Sequence, residues 1–138
     1  MMAQRPNKER IKALKVAYIT EQLDLTVKES QAFWPIYNVY EAQMEEIHTK
    51  ERKHLRSLKD NWEGISEEKA QESVRLLLDT QQDRYTSKET LINQLRSVIS
   101  YKKTLLLMKA EEDFKRDLIR KLRNKRGGGP NGRPNGGK

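Results

Sequence analysis

The chain has 138 residues, of which 35% are hydrophobic and 35% charged, and it has no cysteine. That suits one elongated helical domain better than a sphere with a thick core; it excludes disulfides, thiolate metal sites and a cysteine nucleophile, and no run of about 18 uncharged apolar residues could span a membrane. The net charge of +8 lies wholly in residues 102–138, with 12 basic side chains against 4 acidic, whereas residues 1–101 balance at 16 each.

The pattern is helical almost throughout, because residues 7–126 contain only Pro35 and Gly64 as breakers and no period-2 alternation. Residues 1–6 are expected to be a flexible N-terminus, 7–126 a single helical domain, and the Gly/Pro/Asn-rich 127–138 a disordered tail. No 7–15-residue apolar stretch marks a signal peptide at the N-terminus.

A first helix is predicted from about Asn7, its cap, to Gln22, with Ile11, Leu14 and Tyr18 on one stripe and Val16, Ile19 and Leu23 beside it. A second runs from Val27 to about Lys59, capped by Thr26, with Glu29 completing a capping box. Its apolar positions, 33, 37, 40, 44, 47, 55, 58 and 62, form a coiled-coil-like seam that Glu51 breaks once. Pro35 lies beyond the first turn, so a kink is expected there.

The turn Asn61–Gly64 leads to a third helix, from Glu67 to about Val98, capped by Ser66. Its expected stripe is Ala70, Val74, Leu77, Gln81, Tyr85, Leu91 or Ile92, Leu95 and Val98. A fourth helix is predicted from Tyr101 to about Arg126, lined by Leu105, Met108, Phe114, Leu118 and Leu122. Leu25-Thr26, Ile65-Ser66 and Ile99-Ser100 repeat one device, an apolar residue followed by a capping hydroxyl at a helix start. Helices two and three, each roughly 48 Å long at 1.5 Å per residue, should form an antiparallel hairpin. The expected fold class is all-α: an elongated four-helix protein built on this hairpin, with the second helix kinked.

Chemistry-bearing motifs are sparse. There is no GxGxxG, P-loop or GxSxG, and two histidines without cysteine make a nucleophile–base set hard to build. Glu45-x-x-His48 and Glu51-x-x-His54 have the spacing of di-iron bundles, but both lie on one helix about 120° apart, so they cannot converge within one chain. No enzyme activity or cofactor is therefore expected, and a metal only if it bridges two chains. Phe33, Trp34, Tyr37 and Tyr40, with Met44, are the densest apolar feature. Core packing explains most of that cluster, but the adjacent Phe33 and Trp34 cannot face the same way, which leaves one of them for another helix, a dimer mate or a client. Lys115, Arg116, Arg120, Lys121, Arg123, Lys125 and Arg126 form a basic end that could contact anionic partners or simply complement the helix dipole.

The segment Leu25-Thr26-x-x-Glu29, followed by Gln31-Ala-Phe-Trp-Pro-Ile-Tyr-Asn38-x-Tyr-Glu41, and Ala110-Glu-Glu-Asp-Phe-Lys-Arg-Asp-Leu118 further on, resemble a known group. They are similar to small secreted helical proteins of Bacteroidetes-type bacteria, described as sensors of ECF-type sigma factors and related to the Spy/CpxP periplasmic chaperones. That family carries a Leu-Thr-x-x-Gln motif twice. Here the copies are Leu25-Thr26-Val27-Lys28-Glu29 and Ile65-Ser66-Glu67-Glu68-Lys69, both altered at the last position. The resemblance implies a periplasmic homodimer, exported on a signal peptide absent from this sequence, that holds unfolded or envelope proteins, or senses envelope stress through a signalling partner, without ATP. The alternative from the residues is a nucleic-acid or anionic-membrane-surface binder acting through the basic last helix and tail. No base-reading motif supports nucleic acid.

Overall fold

A computed structural model describes residues 8–127. It contains four α-helices, α1 (Lys8–Leu23), α2 (Val27–Asp60), α3 (Glu67–Leu95) and α4 (Tyr101–Gly127), and no strand among the described residues. The all-α, four-helix class follows directly. The expectations for residues 1–6, the Asn7 cap and the tail beyond Gly127 lie outside the described residues; Gly127 itself ends α4. The helices pack as two compact units: α2 with α3 over residues 27–100, and α1 with α4 on either side of that segment in sequence.

In the first of these units, α2 passes through Pro35 without interruption, although proline has no amide to return to the Gln31 carbonyl. The helix ends in a turn where Asn61 Nδ2 donates to the Ser57 carbonyl at 3.1 Å. The amides of Asn61, Gly64 and Ile65 donate to the carbonyls of Leu58, Asn61 and Trp62 through the 3-10 turn Trp62–Gly64. Gly64 does not have a positive φ, and a Cβ built there would meet nothing within 4 Å. Ser66 then caps α3 as expected: its Oγ accepts from the Lys69 amide at 3.1 Å, with φ −83° and ψ 163°.

The α2–α3 hairpin is antiparallel, with Glu51 opposite Arg84 and Tyr40 opposite Lys88. The seam on α2 runs 33, 37, 40, 44, 47, 51, 54 and 58, an unbroken alternation of fours and threes. Glu51, read from sequence as a break, is a seam position, and His54 follows it. Leu55 and Trp62, placed on the stripe, are exposed. On α3 the expected Leu77, Leu91 and Leu95 do lie inward, but the register differs at Val74, Gln81 and Tyr85. Ser73, Leu77, Thr80, Arg84, Leu91 and Leu95 turn inward, while Val74 and Tyr85 are 58% and 63% exposed. Polar residues occupy the middle of the seam, so a stripe drawn through apolar residues slips to the neighbouring face. α3 ends at Leu95, three residues earlier than expected. The Leu95 carbonyl accepts from the amides of both Val98 and Ile99 at 2.9 Å.

In the other unit, α1 and α4 are also antiparallel: Lys103 Nζ donates to the Asp24 carbonyl at 2.9 Å, and the Tyr18 and Phe114 rings lie 5.8 Å apart. Ile19 and Leu23 of α1 and Thr104, Leu107 and Ala110 of α4 are buried. Leu14, Leu105 and Met108, expected on the inner stripes, face outward. α1 closes with a Schellman arrangement: the Leu25 amide donates to the Thr20 carbonyl and the Asp24 amide to that of Glu21. Asp24 takes φ 49°, the left-handed position that usually selects glycine.

Candidate binding surfaces

The aromatic cluster is a core element more than a surface. Phe33, Tyr37 and Tyr40 are buried, so these three cannot present an open client-binding or dimer face as expected. Phe33 and Tyr37 stack at 5.4 Å, and the half-buried Trp34 meets both rings edge-on at 4.8 and 5.6 Å. Tyr40 continues the ladder 5.7 Å from Tyr37, with Lys88 Nζ 5.4 Å from its ring centre. Such contacts add roughly 0.5–1.5 kcal/mol per ring pair beyond area burial. Met44 is half-buried one turn further along.

Below the ladder the seam becomes polar. Arg84 grips Glu51 with both arms, Nη1 to Oε2 at 2.9 Å and Nη2 to Oε1 at 2.7 Å. The Thr80 hydroxyl lies 3.2 Å from Oε2 but also 2.8 Å from the Leu77 carbonyl; with one proton, it donates to one of them at a time. The bonds from Arg84 hold the Glu51 carboxyl below its ordinary value, against the opposing pull of burial, with the Arg84 charge and Thr80 assisting. The same bond raises Arg84. His54 Nε2, further along the seam, is buried with no hydrogen-bond partner among the described residues. Neither Glu-x-x-His pair gathers metal ligands: among the described residues no group of three His, Cys, Asp or Glu side chains converges.

The motif residues are all at helix starts. Leu25 and Ile65 are half-buried; Thr26 and Ser66 immediately precede α2 and α3, with Glu29 in the first turn of α2. The capping role of the second copy therefore holds in the geometry despite Lys69 at its last position.

The basic end of α4 is exposed at Lys115, Arg116, Arg120, Lys121 and Arg123; the side chains of Lys125 and Arg126 lie outside the described residues. Part of this charge is spent locally. Arg116 reaches Asp113 at 3.2 Å, Arg120 reaches Asp117 at 3.5 Å, and Lys109 bonds Asp113 at 2.7 Å. The Lys109 bond lowers the Asp113 carboxyl and raises the Lys109 amine in turn. Lys115, Lys121 and Arg123 make no ion pair among the described residues.

Apolar surface lies where sequence reasoning expected core. Val74, Leu78 and Tyr85 fall on one outward flank of α3, where Val74 and Leu78 line a shallow hollow with Ala70 and Gln71. Tyr101, Leu105 and Met108 form a second such row on α4. Their helical spacing was visible in the sequence; that they face outward followed only from the polar residues claiming the seam. No family profile, characterised protein or solved structure matches this chain.

Proposed function

We propose that the chain is a non-enzymatic, ATP-independent binding protein, chaperone-like or stress-sensing, that acts in the periplasm on exposed apolar and charged segments of other proteins. One observation carries this reading: polarity is exchanged between seam and surface. Each α2–α3 or α1–α4 pair gives inward places to Glu51, Thr80, Arg84 and Thr104 while leaving Val74, Leu78, Tyr85, Leu105 and Met108 outside. Rows of outward apolar side chains among charges suit reversible contact with unfolded protein. The resemblance to the Spy/CpxP group supports the same reading and adds export and homodimerisation, in which a second copy covers part of these rows.

The deciding assay is light scattering of a reduced, aggregating client at equimolar ratio without nucleotide. The intact chain should suppress scattering, and Val74→Ser/Leu78→Ser/Tyr85→Ser should lose most of that effect while keeping its helical circular dichroism. No suppression by the intact chain would reject the proposal. Sedimentation showing only a 16.2 kDa species at high concentration would reject the dimer.

The rival reading, an anionic-partner binder working through α4, is favoured by the unpaired Lys115, Lys121 and Arg123. A chain cut after Arg116 that loses salt-sensitive DNA binding, with client protection intact, would favour it.

A further inference from the structure

We propose that the turn end of the α2–α3 hairpin is a docking site for an anionic lipid surface, built from Arg52, Leu55, Arg56, Lys59 and Trp62. The first four are spaced i, i+3, i+4, i+7, which puts them on one flank of the last turns of α2. Trp62 follows three residues later, in the turn itself. Leu55 is 49% exposed and Trp62 66%, large for apolar side chains. The three cations are exposed and make no ion pair or hydrogen bond among the described residues.

The dipole of α2 does not account for this charge. Its pull fades within the last helical turn, where only Lys59 sits. Arg56 and Arg52 lie further back. Nor do neighbouring acids neutralise it. Glu51 is held by Arg84 across the seam, and Asp60 and Glu63 make no ion pair with these cations. Unneutralised cations interleaved with a leucine and a tryptophan call for a surface that is both negative and apolar. A headgroup layer over acyl chains offers both. Tryptophan partitions to that boundary, and arginine and lysine stems can lie along apolar surface while their charges reach phosphate. A nucleic-acid backbone would satisfy the cations but give Leu55 no partner. The site uses none of the residues of the α3 and α4 rows and does not rest on the chaperone reading.

The test uses the full chain with vesicles of zwitterionic phosphatidylcholine, alone or with a third of anionic phosphatidylglycerol. Binding is read by co-sedimentation, and burial of Trp62 by quenching with brominated acyl chains, against Trp62→Phe to subtract Trp34. Three variants are compared: Arg52→Gln/Arg56→Gln/Lys59→Gln, Trp62→Ala, and the control Lys115→Gln/Lys121→Gln/Arg123→Gln. All changes are at exposed positions, and circular dichroism verifies folding. Binding is expected only to anionic vesicles, with Trp62 quenched. At about fivefold per cation, the hairpin triple variant should bind roughly 100-fold more weakly. Trp62→Ala should weaken binding severalfold, and the control should change it less than the hairpin variants do. No binding to anionic vesicles overturns the proposal, as does binding lost only in the control. Equally tight binding of a short DNA duplex through the same three cations, with Trp62→Ala silent, also overturns it, in favour of nucleic acid.

Discussion

Replacing Arg84 by methionine removes the cation that spans the α2–α3 seam while keeping a side chain of similar reach. Two charge-assisted bonds to Glu51, at 2.9 and 2.7 Å, are lost. Fully buried, such a loss costs about 3–5 kcal/mol, because the surviving charge is stranded; fully exposed pairs are worth about 0.2–1 kcal/mol. The side chains are 31% and 21% exposed, so water recovers part of the loss. The Thr80 hydroxyl can also turn from Leu77 to the carboxylate and recover a little more. The expected net loss is about 2 kcal/mol, with a coupling of roughly 1–2 kcal/mol in a double-mutant cycle with Glu51→Gln. Urea titration followed at 222 nm measures both. Acid adds a second signature. Glu51 is held below 4.5, its ordinary value, so its contribution is fully present above that pH and lost as pH falls through the folded-state value. Wild type and Glu51→Gln should therefore converge in stability on acidification. A coupling below about 0.3 kcal/mol at low salt, or parallel pH curves for the two proteins, would refute the assignment of the seam's hold to this pair. Replacing both residues by leucine should cost little or even stabilise, since an apolar pair needs no desolvated charge.

Asp24→Gly should stabilise the α1–α4 unit by about 1 kcal/mol, because glycine takes the left-handed φ freely and an acid leaves a helix C-terminus; the Lys103 bond is to the backbone carbonyl and survives. Calorimetry should show a raised melting temperature. Gly64→Ala, at a position with no positive φ and open space for a Cβ, should gain about 0.4–1 kcal/mol in the same measurement. Ser66→Ala should cost about 1 kcal/mol by releasing the Lys69 amide, with helix loss at the start of α3 seen by hydrogen exchange. His54→Leu should gain about 1 kcal/mol by removing an unsatisfied buried nitrogen, and a loss instead would mean that this nitrogen has a partner in solution.

The four helices and their starts were legible because capping hydroxyls and the near absence of Gly and Pro are local signals. Ser66 works as the sequence implies, and α2, α3 and α4 begin where expected. The aromatic ladder Phe33–Tyr37–Tyr40 was legible as packing. The inner face of α3 was legible only in part: Leu77, Leu91 and Leu95 lie inward as expected, whereas Val74 and Tyr85 do not. Periodicity locates a stripe by its apolar members, but Thr80 and Arg84 hold the inner register through a hydrogen bond and an ion pair to Glu51 of α2, and Ser73 is buried on the same side. Glu51 read as an interruption for the same reason: its partner is 33 residues away. The α4 stripe slipped likewise, because Thr104 is inside and Leu105 outside. At the hairpin end the spacing of Leu55 and Trp62 places them on the inner stripe, although both are exposed, because the seam there runs through His54 and Leu58.

The order of the helices along the chain favours folding from the middle outward. The α2–α3 unit is one uninterrupted stretch, whereas α1 and α4 must find each other across it: Lys103 and Asp24 are 79 positions apart. Closing a loop of that length in an unstructured chain costs entropy that grows with the logarithm of its length. Once the hairpin zips, its two ends lie side by side and only a few free residues separate Asp24 from Lys103. If about ten remain effective, closure becomes cheaper by about 2 kcal/mol. The inner pair thereby acts as a template for the outer one, and damage at Glu51 or Arg84 should slow the assembly of α1 with α4, although neither of those helices contains the mutated residue.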